Sequence, residues 1–376
     1  MKFLACGDYV NHNSCNQLLS DSFSRKVSEC DFALCNFEAP VAGVGAEINK
    51  AGPHVSQPKS AITHLAAAGF NLVTVANNHI FDYGCDGLSE TLMRLDRAGL
   101  ASVGAGEDFE SAYQAYRFSR GGVEVAVISV CEAEFGCLTE DIGSAGYAWI
   151  DHYLVDDLVS ELSQQVDILI LCAHVGVEEV DIPLPEWRSR FRRLCDLGVD
   201  VIIGHHPHVP QGFERYGSSL IFYSLGNFYF DSGDFSKMSD DSFSVMLNLE
   251  KDGVQDFELL YHRKSSGQVH LVEPKEVAFD IDYLNMCLLD GYNQRVDELV
   301  ARLYKERYKP YYDKAVIAVS FDRPLLSLGR LLKDLLCFYS NDRQRRRDLL
   351  LLHNIRIESH RYVVQRALSS IGEKGG

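Results

Sequence analysis

Short apolar runs alternate with helix-like segments throughout residues 1–210, and this alternation restricts the possible fold more than any other feature. Six runs predict strands, at 2–6, 32–38, 71–78, 123–130, 166–174 and 199–206. Segments with apolar residues at helical spacing lie between them, at 58–70, 87–100, 154–165 and 186–198. Strands that alternate with helices in this way form a largely parallel or mixed sheet with helices outside it.

The pattern changes at residue 211. Four strand-like segments follow, separated by turn residues, at 211–217, 218–227, 242–250 and 254–263. Strands connected by such turns form hairpins, so we expect them to build a second, antiparallel sheet. Two sheets packed face to face with helices on their outer sides predict an α/β fold, a four-layer α/β/β/α sandwich.

Beyond about residue 279 the apolar residues return to helical spacing. Three segments predict helices, at 283–308, 323–340 and 344–370. We therefore predict two regions: a sandwich domain over residues 1–279 and a C-terminal helical region over residues 280–376.

The charge of the chain restricts its partners. The formal net charge is −17, and nucleic-acid binding needs a positive surface, so we expect no nucleic-acid partner. No apolar stretch has the length of a membrane span. The 11 cysteines are an odd number without the spacing of a metal site, which is typical of free thiols in a reducing cytoplasm. We therefore expect a cytoplasmic protein.

Polar side chains gather where the predicted parallel strands end. They are Asp8, Glu38, Asn77, Asn78, His79, His174, His205, His206 and His208. Because ligands bind beyond the carboxyl ends of parallel strands, we expect these groups to face one rim. Oxygen and imidazole ligands together suit a divalent transition metal such as Mn, Fe or Zn. There are more candidates than one catalytic zinc needs, which favours two ions that share a carboxylate.

The ordered set of motifs resembles a known family. Asp8 is followed by "NFE" (36–38), "ANNHIFDYG" (76–84), "HVGVE" (174–178), "GHHPHVPQGFE" (204–214) and "FYSLGNFYFD" (222–231). This order is similar to that of the CapA family of poly-γ-glutamate synthesis proteins, which resembles the calcineurin-like metallophosphoesterases in fold. The similarity extends from about residue 2 to about residue 235.

The resemblance implies roles for eight residues. Asp8 would bind the first ion, Glu38 would lie at the bridging position, and Asn78 and His174 would bind the second ion. His206 and His208 would complete the two ligand sets. His79 would be the catalytic histidine, oriented by Asp82. The sequence departs from the superfamily at position 10, where Val10 replaces the first histidine of its motif.

Four further residues at the rim are candidate substrate contacts: Asn77, Glu178, His205 and Asn227. Each has a structural alternative, since Glu178 could form a cap or an ion pair and Asn227 follows a turn glycine. His205 is the extra histidine of its loop relative to the Gly-His-x-His pattern of the superfamily.

These observations favour a metal-dependent hydrolase. A metal-bound hydroxide would attack a phosphoester or a γ-glutamyl-type amide, in a small-molecule or polymer substrate that carries phosphate or glutamyl groups. The alternative is a non-catalytic or accessory metal-binding partner in the synthesis of poly-γ-glutamate or another polymer. A structural α/β protein without metal is the third hypothesis.

Overall fold

The computed structural model describes residues 1–12, 17–139, 144–231, 239–316 and 341–374. The chain divides into two compact units, which comprise residues 1–48 with 54–290, and residues 49–53 with 291–376. The boundary predicted after residue 279 stays a prediction. The helix predicted over 323–340 lies outside the described residues.

The described residues form 17 strands. In chain order they are β1 (Lys2–Val10), β2 (Phe32–Phe37), β3 (Leu72–Thr74), β4 (Ala101–Val103), β5 (Ala105–Gly106), β6 (Tyr116–Arg120), β7 (Val123–Cys131), β8 (Cys137–Leu138), β9 (Gly146–Ala148), β10 (Ile168–His174), β11 (Val201–His205), β12 (Phe213–Tyr216), β13 (Ser219–Phe222), β14 (Asn227–Phe230), β15 (Asp241–Glu250), β16 (Gly253–Ser265) and β17 (Gln268–Leu271).

Two large sheets carry most of these strands. The first has eight strands in the order β17-β16-β15-β1-β2-β3-β4, with β14 also paired to β1. The second has six strands in the order β12-β13-β11-β10-β7-β6. β1 to β4 run parallel, and so do β7, β10, β11 and β13. A small third sheet joins β5, β9 and β8.

The predicted division of the strands between the sheets is wrong. β15 pairs antiparallel with β1, and β16 and β17 follow it in the first sheet. β12 and β13 extend the second sheet beside β11. Both sheets are therefore mixed. The hairpins were recognisable from local turns, but the strand that each hairpin pairs with is decided by contacts distant in sequence.

The four-layer sandwich is confirmed. Strands of both sheets contribute to one apolar cluster between them, which includes Phe3, Leu34, Ile170 and Ile203. Leu4 and Cys35, on the other face of the first sheet, belong to a second cluster that faces helices. The alternation follows from the two-residue period of a strand, which sends successive side chains to opposite faces.

Six helices accompany the sheets in the described residues. They are α1 (Asp21–Ser28), α2 (Ser60–Ala67), α3 (Gly84–Arg97), α4 (Phe109–Ala112), α5 (Tyr153–Leu162) and α6 (Pro185–Asp196). α1, α2 and α3 bury apolar residues in the cluster on the outer face of the first sheet. α6 packs Phe191 against Tyr223 at a ring-centroid distance of 5.8 Å. A seventh helix, α7 (Ile281–Cys287), ends the first unit. The Phe213 N–H donates to the Asn285 side chain of α7 at 2.7 Å.

The predicted C-terminal helical region is confirmed in its described part. It contains α8 (Tyr292–Leu303), a π-helical segment (Tyr304–Tyr308), α9 (Lys309–Val316), α10 (Asn341–Arg356) and α11 (Glu358–Lys374). α8 buries Val296 and Val300, and α11 buries Val363 and Ala367. Among the helices that the structure describes, none is both long enough and apolar enough to cross a bilayer.

Candidate metal centre

Strand alternation carries four polar side chains into the layer between the sheets. In β2, Leu34 faces the inter-sheet cluster, so Asn36 and, just beyond the strand, Glu38 point the same way. Ile170 and Cys172 of β10 are in that cluster, and His174 follows at the same period. Val201 and Ile203 likewise precede His205 in β11. The carboxyl ends of both sheets therefore meet at one buried site.

Asp8 reaches this site through an irregularity in β1. The pairing register with β2 shifts between Ala5 and Asp8, and such a bulge redirects the side chains that follow it. The Asp8 N–H donates to the Gly226 carbonyl at 3.1 Å. A Cβ atom on Gly7 would lie 1.8 Å from that oxygen. Glycine at position 7 is therefore needed for the approach of the two backbones that holds Asp8 in place.

The histidine loop has an unusual backbone. His206 has a φ of 95° and His208 a φ of 59°, in the left-handed region that residues with a Cβ rarely adopt. The His206 N–H donates to Asp8 Oδ2 at 3.2 Å. Strained residues of this kind persist where surrounding structure enforces them, and they are frequent at functional sites.

Two groups of three side chains are compact enough to hold a cation each. Glu38, His174 and His206 form one, and Asp8, Glu38 and His208 form the other, with ligand atoms within 4.8 Å of one another. All five residues are buried. Glu38 belongs to both groups, as a bridging carboxylate would.

The Glu38 carboxylate lies between imidazoles of both groups. Its Oε1 atom is 3.7 Å from His174 Nε2 and 3.5 Å from His208 Nε2. In the part of the chain that the structure describes, this buried oxygen makes no hydrogen bond. Leaving such an atom without a partner is costly. The donor set therefore fits a divalent transition metal, which binds carboxylate and imidazole together.

Asn78 adjoins the group that contains His174. His174 Nε2 is 3.1 Å from Asn78 Oδ1 and 3.0 Å from His206 Nδ1. An amide oxygen and two imidazole nitrogens thus converge beside Glu38. The sequence assigned Asn78 and His174 of this set to the second ion, and it left open whether His206 or His208 would join them.

Burial governs the protonation of the site. Burial, and then the charge of Asp8, raises the pKa of Glu38 well above its ordinary value. Burial also raises the pKa of Asp8, but contacts with His205 and the charge of His208 outweigh it, so this pKa is lowered. Burial lowers the pKa of His174 well below its usual range and that of His206 to about 4. The two imidazoles are therefore neutral near pH 7 and keep a lone pair for a cation.

His79 and Asp82 form a separate pair at the site. His79 Nδ1 lies 2.7 Å from Asp82 Oδ2, and the same carboxylate oxygen accepts from the Val55 N–H at 2.8 Å. Both side chains are buried. The pair is arranged as a histidine with an orienting carboxylate, and the catalytic role of His79 stays a prediction.

The predicted substrate contacts lie in different settings. Asn77 uses its amide within the protein, donating to Asn36 and Phe37 and accepting from the Ile80 N–H. Asn227 Oδ1 lies 2.9 Å from His208 Nδ1, beside a proposed ligand. Substrate contacts for both residues stay predictions.

The other two predicted substrate contacts are Glu178 and His205. Glu178 is partly buried in the turn after β10. It lies close enough to raise the pKa of His206, against the stronger lowering by burial. His205 Nδ1 is 3.2 Å from Asp8 Oδ1. Their binding of substrate also stays a prediction.

Comparison with known proteins identifies the family. The sequence model described as "Bacterial capsule synthesis protein PGA_cap" matches residues 2–232, which is more than half of the chain. The chain belongs to this family. The matched segment of the PGA_cap chain includes all of the residues at the site described above.

Two curated relatives share this segment. The PGA_cap chain is 32% identical over 236 residues to "PGA biosynthesis protein CapA" of Bacillus subtilis (strain 168), covering 61% of this chain and 60% of the relative. It is 32% identical over 233 residues to "Capsule biosynthesis protein CapA" of Bacillus anthracis, covering 59% and 56%. The chain thus spans less than two thirds of the length of either relative.

A solved structure is similar at lower identity. It is a putative 5'-nucleotidase from Staphylococcus aureus in complex with alpha-ketoglutarate, with a TM-score of 0.46 and 18% identity. The match covers 76% of this chain and 57% of that one.

Sequence reasoning missed Asn36. Its Nδ2 atom lies 2.8 Å from Asp8 Oδ1 and 3.1 Å from His174 Nδ1, so one amide connects the two proposed ligand sets. Its Oδ1 atom accepts from Thr74 at 3.2 Å. The sequence spacing could have indicated this residue. Asn36 precedes Glu38 by two residues, and a strand places such residues on one face.

Proposed function

We propose that this PGA_cap protein is a metal-dependent hydrolase with two divalent transition-metal ions, Mn, Fe or Zn. Asp8, Glu38 and His208 would hold one ion, and Glu38, Asn78, His174 and His206 the other. The observation that carries this proposal is Glu38 Oε1, a buried oxygen without a hydrogen bond in the described residues that lies between His174 and His208.

The ions would supply the charge that the buried site lacks. Divalent metals lower the pKa of bound water and stabilise negative charge as it develops on a substrate. Asp8 and Glu38 would hold the ions, and Asn36 would keep the Asp8 carboxylate aligned through its 2.8 Å hydrogen bond.

His79 would act on the substrate. Asp82 accepts from Nδ1 at 2.7 Å, which would fix the tautomer and the orientation of the ring. A histidine held in this way can protonate a leaving group. We assign this role to His79 and the orienting role to Asp82.

The substrate class follows from the family and from the chemistry of the centre. Two ions of this kind serve phosphoester or amide hydrolysis. Two relatives are named for PGA or capsule biosynthesis, which supports a γ-glutamyl-type amide in a small molecule or a polymer. Nine described cysteines are free thiols, which supports a cytoplasmic location.

One observation favours a second function. Val10 stands where the superfamily motif has a histidine, and it packs in an apolar cluster with Ala39, Val55 and Phe230. If the first ion is held too weakly as a result, the protein would be an accessory metal-binding partner in polymer synthesis rather than a catalyst.

Metal analysis followed by turnover tests the proposal. Full-length protein should contain between one and two transition-metal ions per chain by elemental analysis, and Glu38→Gln should lower this number. The matched control is His270→Ala, which removes a partly exposed imidazole on β17. With Mn²⁺ added, the protein should hydrolyse bis(p-nitrophenyl) phosphate or γ-glutamyl-p-nitroanilide.

Two results would contradict the hydrolase. Metal without turnover of either substrate would favour the accessory function. Protein that binds no metal after exposure to Mn²⁺, Fe²⁺ and Zn²⁺ would refute both functions.

A further inference from the structure

His205 is a buried histidine that the proposed centre has not yet used. It ends β11, and only 1% of its surface is exposed. Within the described residues, neither Nδ1 nor Nε2 makes a hydrogen bond. A buried imidazole loses its interaction with water, so the groups that surround it decide what it can bind. For His205 the facing group is the Asp8 carboxylate, in electrostatic contact with Nδ1.

The contact with Asp8 has the spacing of two ligands on one ion. His205 Nδ1 and Asp8 Oδ1 are 3.2 Å apart, but their alignment does not make a hydrogen bond. Ligands held at about 2.0–2.2 Å from one cation lie roughly 3–3.5 Å from each other. Their lone pairs then point at the ion and away from the direct line between them.

Position 10 explains why such a ligand is needed. The side chain of Val10 lies in the apolar cluster of Ala39, Val55 and Phe230, and it offers no ligand atom. His205 approaches Asp8 from the second sheet, on the inter-sheet face shared by Val201 and Ile203. It touches the group of Asp8, Glu38 and His208 at Asp8.

We propose that His205 is a ligand of the first ion, in place of the histidine absent at position 10. The compact group of Asp8, Glu38 and His208 does not itself include His205, so the imidazole would move toward the ion as it binds and complete a four-ligand set. This inference rests on the proposed metal centre. It differs from the substrate contact predicted from the sequence, since it places the imidazole on the ion.

Cobalt binding tests this assignment without measuring activity. Metal-free, full-length protein would be titrated with Co²⁺, and its visible absorption would report both stoichiometry and the ligands. Wild-type protein should bind two Co²⁺ ions. His205→Ala should bind one ion as before and the other at least about tenfold more weakly, with a changed visible spectrum. The matched control, His270→Ala, should behave as wild type.

A second variant distinguishes the loss of a ligand from misfolding. His205→Gln keeps a polar side chain of similar length, and it should lose affinity for the same ion while its far-ultraviolet circular dichroism matches wild type. His206→Ala should weaken the other ion, so the two variants should differ in spectrum.

The result that would refute His205 as a ligand differs from the result that would refute the metal centre. If wild type binds two ions and both His205 variants keep both affinities within about twofold, the ligand assignment is wrong and the metal centre stands. If wild type binds no Co²⁺, the proposed metal centre itself fails.

Discussion

Replacing Asn227 tests whether this residue serves the metal or the substrate. Its Oδ1 atom lies 2.9 Å from His208 Nδ1, and both side chains are buried. The amide oxygen can only accept, so the Nδ1 atom carries the proton and Nε2 keeps a lone pair toward Glu38, 3.5 Å away. Asn227→Ala would remove the acceptor that fixes this tautomer.

The size of the effect follows from the lost contact. Removing the acceptor of a buried donor costs at most about 1–3 kcal/mol here, because Asp8 Oδ2 remains 3.5 Å from the same nitrogen. If this cost falls on the metal-bound state, affinity for the ion held by His208 should fall roughly 5–150-fold. Asn227→Asp is the matched variant, because its carboxylate still accepts from Nδ1. It should keep or increase the affinity, since carboxylates strengthen histidine ligands.

The measurement is a competition titration against a chromophoric chelator, with Zn²⁺ or Mn²⁺ and metal-free protein. Denaturant unfolding of the metal-free forms would show how much of the loss arises from folding. If Asn227→Ala binds both ions within about twofold of wild type, the orienting role is wrong. A raised KM with unchanged metal affinity would support the substrate contact predicted from the sequence.

Two further predictions concern chemistry and stability. His79→Ala should lose turnover but retain its metal, whereas His174→Ala should lose metal, as elemental analysis would show; equal metal loss in both would make His79 a ligand. Burial raises the pKa of Glu214, but hydrogen bonds from Arg192 and Arg188 outweigh it and lower this pKa to about 2. Its stabilising contribution is therefore present above the ordinary value of 4.5 and is lost as the pH falls toward 2. In denaturant unfolding between pH 5 and pH 2, the free energy of unfolding of Glu214→Gln should not show this loss. If it falls with pH as steeply as that of the wild type, the prediction is wrong.

The sequence predicted the layers of the fold better than the pairing of its strands. Alternation within residues 1–210 is local, so strands and helices there could be read directly. The pairing of β1 with β15 depends on side chains about 240 residues apart, as in Ala5 opposite Val245. No local period encodes such a partner, and the hairpin of β15 and β16 was therefore assigned to the wrong sheet.

The residues of the candidate site were also predictable only in part. Residues at strand ends were recognisable because parallel strands direct their carboxyl ends to one edge. The bulge that turns Asp8 into the inter-sheet layer was not, because it arises from the pairing of β1 with its neighbours. The contact of His205 with Asp8 joins two sheets, and only the folded structure brings these residues together.

The central position of β1 has a consequence for the synthesis of the chain. β1 is flanked by β2 on one side and by β14 and β15 on the other. On the ribosome, β2 follows β1 after about 20 residues, but β15 emerges more than 200 residues later. Until then the first sheet has an open edge at β1, whose backbone groups can pair with another chain. The strand that carries Asp8 is therefore the one that a nascent chain must protect longest from aggregation.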